Sequence, residues 1–431
     1  MTEASTAATS AEAPGALAGI RVLDLTTEMG QYAGKLLADL GADVVKVEPR
    51  GGDAARGVGP FAHDAISRET SLSWWYFNTN KRSLTCNLDE HDGQYLFREL
   101  AQNADVVLES YDAGYMDTRG VGYETLRERN PELIYVSVTG FGIEGPHAGW
   151  KATDIIGLAS SGVLTLSGDP ADPPQMLGGN QGYITASVAA AQGAVMAIFH
   201  KERTGEGQLV EASMQEALSI AQETAMQQWD FQKTSRERVG EIVLAPGIGT
   251  YKTRDGHVYS MVGAPAGASW SELMDWLVEE DAAGELAGED EAKYRALDWS
   301  TLAAALADPA KMADLGQLAG PAQKVLTKFF AERTSLEVYE GGQKRRLLIG
   351  AVSSARDLVE NPQLVARNWM MPSEQNGESI DFPGPPYRLS ETPITIRRPA
   401  PEIGQHNIEI WVEELGISQE DLIVYASEGA I

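Results

Sequence analysis

Along the first half of the chain, short apolar runs alternate with stretches of helical period. The run IRVLDL at residues 20–25 is followed by a helix-like stretch from Gln31 to Leu40, a Gly41-Ala42 turn and the run ADVVKVE ending at Glu48, which predicts strand, helix, strand. The pattern returns with a helix near Gly93–Asn103 before ADVVLES, and a helix near Tyr123–Arg129 before LIYVSVTG. Such alternation predicts an α/β fold with a parallel sheet and helices on its faces. From Ser213 the pattern turns helical, and GTYKTRDGHVYSMVG reads as a hairpin turning at Asp255-Gly256, the start of a smaller α+β domain. Acidic, Ala-rich amphipathic stretches fill 269–333, and short strands broken by Pro and Gly follow Arg345. Domain changes are therefore expected near residues 220–235 and 340–350.

Charge narrows the function. The 431 residues carry 62 acidic and 34 basic side chains, a net −28, which excludes a nucleic-acid binder working through a basic face. A single cysteine, Cys86, rules out an internal disulfide and a Cys-rich zinc site, and suits a reducing compartment, by default the cytoplasm. Residues 1–17 have neither a basic start nor an apolar block; they read as a disordered tail rather than a signal peptide or anchor. The Ala-rich run Ile184–Phe199, interrupted by Gln192, falls short of a bilayer span and is expected as a packed helix. The histidines at 63, 91, 147, 200, 257 and 406 show no metal-ligand spacing, so no metal site is expected.

Several residues invite chemistry. Glu48 closes the second strand, where an acidic residue holds a ribose in dinucleotide folds, yet the preceding loop TTEMGQYAG lacks the G-x-G-x-x-G fingerprint. Gly178, Gly179 and Gly182 in MLGGNQGY precede the Ala-rich helix; free amides there are candidates to face an anion or an acyl oxygen. Basic residues cluster at Arg50 and Arg56, Lys81-Arg82, Lys201–Arg203 and Lys344–Arg346. In so acidic a chain a polyanion must be held by such local charge, although each cluster also reads as solvated surface. Trp74-Trp75-Tyr76 reads as core or interface.

Taken in order, GIRVLDLT, LLADLGADVVKVEPRGGDAAR, FNTNKRSLTCNLD, ADVVLESY, VSVTGFGIEGP, TGEGQLVEASM, GTYKTRDG, NPQLVARNWM, PPYRLSETPITIRRPAPEIGQHN and LGIS closely resemble the class III CoA-transferases, over roughly residues 18–420. The resemblance implies a Rossmann-like, CoA-binding large domain built from residues 18–225 and 345–431, a small domain at 226–344, and an interlocked dimer. It also implies covalent catalysis by an aspartate: the carboxylate takes the acyl group from an acyl-CoA as a mixed anhydride, then holds CoA as an aspartyl thioester. That aspartate follows a PP-x-x-x-G segment by five positions and precedes TG-x-GQ by a fixed helix. Here PPQMLG ends at Gly178 and TGEGQ starts at Thr204, both anchors fall on Tyr183, and Pro173 to Lys201 contains neither Asp nor Glu. A phenol has no acyl carbon to carry CoA, and with a pKa of about 10 it is mostly protonated at neutral pH.

The remaining carboxylates by this alignment are Asp154 in WKATDIIGL, then Asp169 and Asp172 in SGDPADPP, which read first as caps and turn formers. For the coenzyme the resemblance points to Arg50, Cys86, Ser110, Tyr111, Lys151 and the glycines 178, 179 and 182. Ser110 and Ala113 stand where the family has Asn and Pro, Pro49 where it has Arg, Asp89 where it has Lys, and Thr118 where it has Arg; Thr153 and Tyr183 together disfavour the related racemases. The expected substrates are an acyl-CoA and a small carboxylic acid, with no tightly bound cofactor, no nucleic acid and no membrane. Three functions follow: the non-nucleophilic subunit of a hetero-oligomer whose homologous partner bears the aspartate; a stand-alone transferase, homodimeric, using direct attack or another carboxylate, with amides near Gly178–Gly182 holding the oxyanion; or a non-catalytic CoA-binding regulator. The segment GAPAGASW at 263–270 reads as a mobile glycine loop or a plain connection.

Overall fold

A computed structural model of the chain describes residues 14–238, 240, 245–263, 270–297 and 309–431. Most of the expected tail and most of GAPAGASW lie outside these residues. Two compact units form: one from residues through Leu166, Gln175–Arg236 and Val365–Ile431, the other from Ser167–Pro174 and Glu237–Leu364. The changeovers thus fall later than the expected 225 and 344. After residue 344 the chain stays in the second unit because Ile349–Ala351 supplies a strand to its sheet.

The large unit is organised by six parallel strands: β1 (Arg21–Leu25), β2 (Asp43–Glu48), β3 (Arg82–Thr85), β4 (Val106–Glu109), β5 (Ile134–Thr139) and β6 (Leu209–Ser213), in the order β3-β2-β1-β4-β5-β6. Leu23 of β1 is registered between Val45 and Val107. Apolar patterning marks β1, β2, β4 and β5 because they are covered on both faces. It misses β3, whose RSLT is fully buried but polar, and β6, an edge strand whose first residues are exposed. Its helices include α1 (Gln31–Asp39), α2 (Leu72–Phe77), α3 (His91–Ala101), α4 (Tyr123–Arg129), α5 (Asp154–Ser160) and α6 (Gln181–Thr204). Ala186, Ala190 and Ala194 pack with Leu37, Val136 and Val138 in one core, while Leu96, Phe97, Leu126 and Trp411 pack in another. Leu17 belongs to the first core and donates its amide to Leu40 O, so ordered structure begins before residue 18.

Helix α6 corrects one expectation. It runs 24 residues and by length and composition alone is long enough to cross a membrane. Its alanine face is instead pressed into the core, and at Gly193 an added Cβ would stand 2.6 Å from Val210 Cγ1, so only glycine permits this approach to the sheet.

In the second unit the expected hairpin is present: β7 (Ile248–Lys252) pairs antiparallel with β8 (His257–Met261), which pairs with β9 (Ile349–Ala351). Trp276, Phe329 and Phe330 fill its core. The chain then returns to the large unit through the hairpin of β10 (Met370–Gln375) and β11 (Glu378–Pro383). Its final segment packs along β3, with His406 N donating to Ser83 O and Asn407 bonding Thr85.

Candidate active site at the carboxyl edge of the large sheet

Strand β1 lies between β2 and β4, so the loops leaving β1 and β4 part on opposite sides and open a crevice, the place where doubly wound sheets bind ligands. The β1 loop is fixed from several directions. Thr26 donates its amide (2.9 Å) and hydroxyl (2.6 Å) to Asp24 Oδ1, and its carbonyl accepts from Lys46 Nζ. Thr27 N donates to Ser110 Oγ at 2.8 Å, tying the β1 loop to the β4 loop.

Beneath these loops lies a buried charge network. Lys81 Nζ reaches Asp24 at 2.7 Å and Lys46 Nζ reaches Asp53 at 2.9 Å, all four side chains fully or almost fully buried. Glu48 is paired bidentately with Arg56, at 2.7 and 2.8 Å, and accepts from Ser83 Oγ and Asp53 N. Glu48 therefore has no free oxygen for a ribose, which removes the dinucleotide reading. In each of three basic clusters a cation is likewise engaged by carboxylates: Arg82 by Asp43, Glu409 and Glu414, Lys201 by Asp105, Arg345 by Glu279. A charge taken out of water is retained only when paired, so most of the cations meet internal carboxylates.

The two candidate catalytic positions come together. Asp154 opens α5 and Tyr183 lies in the first turn of α6. Asp154 Oδ1 accepts the amides of Gly182 (2.7 Å) and Tyr183 (3.2 Å), so it caps α6 from 28 residues away in sequence. Gly182 fits closely here, because an added Cβ would sit 3.0 Å from that same oxygen and push it aside. The expectation that these amides stand free for an anion is corrected: they are occupied, and a carboxylate beside them opposes a second negative charge. Gly178 and Gly179 remain exposed ahead of the helix. The other oxygen, Asp154 Oδ2, is buried without a hydrogen-bond partner among the described residues. Asp169 and Asp172 lie in the second unit, where Asp169 Oδ1 accepts from Ala171 N in a turn and both carbonyls accept from Arg238. Asp154→Ala is expected to cost about 1 kcal/mol, the scale of a lost helix cap, read as a lower midpoint in urea denaturation; no loss would mean that the cap contributes nothing.

Sequence reasoning missed Glu28. It sits half-buried in the β1 loop and shows neither a hydrogen bond nor an ion pair among the described residues. Burial, then the charges of Asp53 and Asp154, pushes its carboxyl above the ordinary range. Burial, then Glu28, raises the Tyr183 phenol in turn, which holds it as a neutral hydroxyl. The available signal was an acidic residue in the strand-to-helix loop TTEMGQYAG, where a parallel sheet places ligands.

The expected coenzyme residues divide. Tyr111 stacks on Tyr115 with ring centroids 4.3 Å apart, and exposed Lys151 pairs with Asp112 of the same loop. Lys151 and the loop after β4 therefore form one surface. Arg50 is exposed just after β2, near Gly429. Ser110 is buried and spends its hydroxyl on Thr27, so its role is to clamp two loops. Cys86 is corrected: it is 3% exposed, donates to Gly93 O, and burial pushes its thiol up to about 12. It is a core residue closed to a ligand.

A parallel sheet with facing loops and a helix N-terminus at its carboxyl edge defines a doubly wound α/β protein with a ligand crevice at its switch point. The chain belongs to CoA-transferase family III, which it matches over residues 17–407. It is 34% identical, over 91% of its length and 93% of the relative's, to the succinyl-CoA:(R)-benzylsuccinate CoA-transferase subunit BbsE of Thauera aromatica. It is 32% identical, over 94% and 97%, to the succinyl-CoA:mesaconate CoA-transferase of Haloarcula marismortui. Among solved structures a CAIB/BAIF family protein from Brucella suis superposes with a TM-score of 0.78 at 25% identity, covering 93% of this chain and 99% of that one.

Proposed function

We propose that this chain is a subunit of a hetero-oligomeric CoA-transferase that moves CoA between an acyl-CoA and a carboxylic acid, its homologous partner supplying the nucleophilic aspartate. The observation carrying this reading is Tyr183 itself. It stands at the start of α6 with its amide on Asp154, at the position to which the sequence resemblance assigns the family's nucleophile, and a phenol cannot store CoA as a thioester. Asp154 offers no easy substitute, since one oxygen is committed to two amides. That one relative is itself a named subunit of a CoA-transferase supports the hetero-oligomer.

The surface of the large unit supports a partner. The helix Glu223–Gln232 buries none of its residues, yet Met226, Trp229 and Phe231 are 52%, 55% and 85% exposed. Met196 and Phe199 of α6 are exposed to similar degrees. Large exposed apolar side chains such as these are the kind a second polypeptide covers, and two related chains can replace two identical ones in a closed dimer. CoA is taken as a substrate held by the surface of Tyr111, Lys151 and Arg50, without a tightly bound cofactor, and the cytoplasm is the expected site of action.

The test compares the purified chain, alone and combined with a homologous chain bearing Asp at the position of Tyr183, in CoA transfer from succinyl-CoA to carboxylic acids. Transfer is expected only in the combination, with hydroxylamine-sensitive CoA on the partner. Covalent CoA on this chain during turnover would overturn the reading.

A further inference from the structure

The arm of chain that follows β11 is held beside the start of β10. Met370 is registered opposite Pro383, and Gly384 N donates to Trp369 O at 3.0 Å. An added Cβ on Gly384 would collide with that oxygen, so only glycine permits the approach. Past it, Pro385, Pro386 and Pro393 restrict the backbone of PPYRLSETP. Between the two segments, within the large unit, lies a cavity of about 490 Å³, inside the range of roughly 300–1,000 Å³ typical of small-molecule sites.

The wall of this cavity combines two kinds of side chain. Trp369, Met371, Tyr387 and Ile394 supply apolar and aromatic surface, Arg367 and Arg388 line the same hollow, and no acidic side chain is among the described residues around it. Neither guanidinium has a hydrogen bond or an ion pair among the described residues, whereas Arg56, Arg82, Arg119, Arg295 and Arg333 all meet carboxylates. One exposed arginine without a partner is ordinary solvated surface. Two that line one concavity repel each other, and in a chain of net charge −28 a hollow lined by cations and free of carboxylates is a local reversal of the global field. Guanidinium binds carboxylate or phosphate through paired N–H donors and stacks on flat groups.

We infer that this hollow is a binding site for a small organic dianion, its carboxylates or phosphate held by Arg367 and Arg388 and its flat apolar body laid against Trp369, Tyr387 and Met371. The arm passes the far end of α1: Asn80 Nδ2 donates to Asp39, the last residue of that helix, at 2.8 Å and to Thr395 O, next to Ile394, at 3.0 Å. Helix α1 starts beside the β1 loop at Gln31, about 12 Å away along its axis, so the hollow is a second site rather than part of the crevice. Such a site is independent of whether the chain transfers CoA.

Isothermal titration calorimetry of the full chain, at constant ionic strength and with CoA in excess, tests the site with isophthalate and phenyl phosphate, both dianions on a ring. At least one is expected to bind one to one at submillimolar concentration, and binding by one alone identifies the head group the arginines prefer. Succinate and inorganic phosphate, which lack the ring, should bind at least about threefold more weakly. Arg367→Gln and Arg388→Gln are each expected to weaken the ring-bearing dianion about tenfold. Arg203→Gln, which removes the same charge from α6, should leave it unchanged. Urea midpoints of the two cavity variants should match that of Arg203→Gln, since neither guanidinium has a partner to lose. No binding of either ring-bearing dianion, binding seen only without CoA, equal affinity for the ringless anions, or equal losses in all three variants overturns the assignment. So does a midpoint lowered in a cavity variant alone, which would give that arginine to the fold.

Discussion

Arg56→Ala is expected to destabilise the chain by about 3–5 kcal/mol, enough to leave much of it unfolded at ordinary temperature. Arg56 is fully buried and binds both oxygens of Glu48, Pro401 O and Glu69, with its guanidinium 3.9 Å from the Trp74 ring. Truncation leaves Glu48 buried with Ser83 and one amide as its remaining donors, and the cost of an uncompensated charge outweighs the cavity left behind. The double variant Arg56→Met with Glu48→Gln removes both charges and should recover most of the loss. Urea denaturation of both variants decides the point. A single-variant loss below about 1 kcal/mol would mean that water or rearrangement reaches Glu48.

Glu109→Gln is expected to stabilise the chain, and the gain depends on pH. Glu109 ends β4 and is nearly buried; burial pushes its carboxyl from 4.5 up to about 7, despite hydrogen bonds from Ser137 and from Tyr111 N at 2.7 Å. A group whose native pKa exceeds its unfolded value contributes stability that is fully present below pH 4.5 and is lost as pH rises through about 7. The span corresponds to roughly 3 kcal/mol at the upper limit. Glutamine keeps an acceptor for the Tyr111 amide and cannot ionise, so wild type and variant should match near pH 4.5, with the variant ahead by about 2–3 kcal/mol at pH 8. Urea midpoints across this range test the sign: a wild type whose stability does not fall between pH 5 and pH 8 would show that Glu109 ionises freely in the fold.

Much of the architecture is local in origin and was readable. The strands at residues 21–25, 43–48, 106–109 and 134–139, the helices at Gln31–Asp39 and Tyr123–Arg129, and the hairpin turning at Asp255-Gly256 all follow from periodicity and turn chemistry. RSLT of β3 escaped because its burial is achieved by pairing polar groups, Arg82 with Asp43 and Ser83 with Glu48, rather than by apolar side chains. The boundary at 344 escaped because the third strand of the small sheet is only three residues long.

By itself the sequence determined the class of fold, the ordered family segments and the absence of any carboxylate between Pro173 and Lys201, because these are properties of residue type and spacing along one chain. The tertiary structure alone decided what each charge is for. It turned Arg56, Lys81 and Arg82 into internal counter-ions, set Asp154 on the amides of α6 and closed Cys86 into the core. Whether a cation meets a ligand or a buried carboxylate depends on residues tens to hundreds of positions away, brought close only when burial removes water and forces every charge to find a partner.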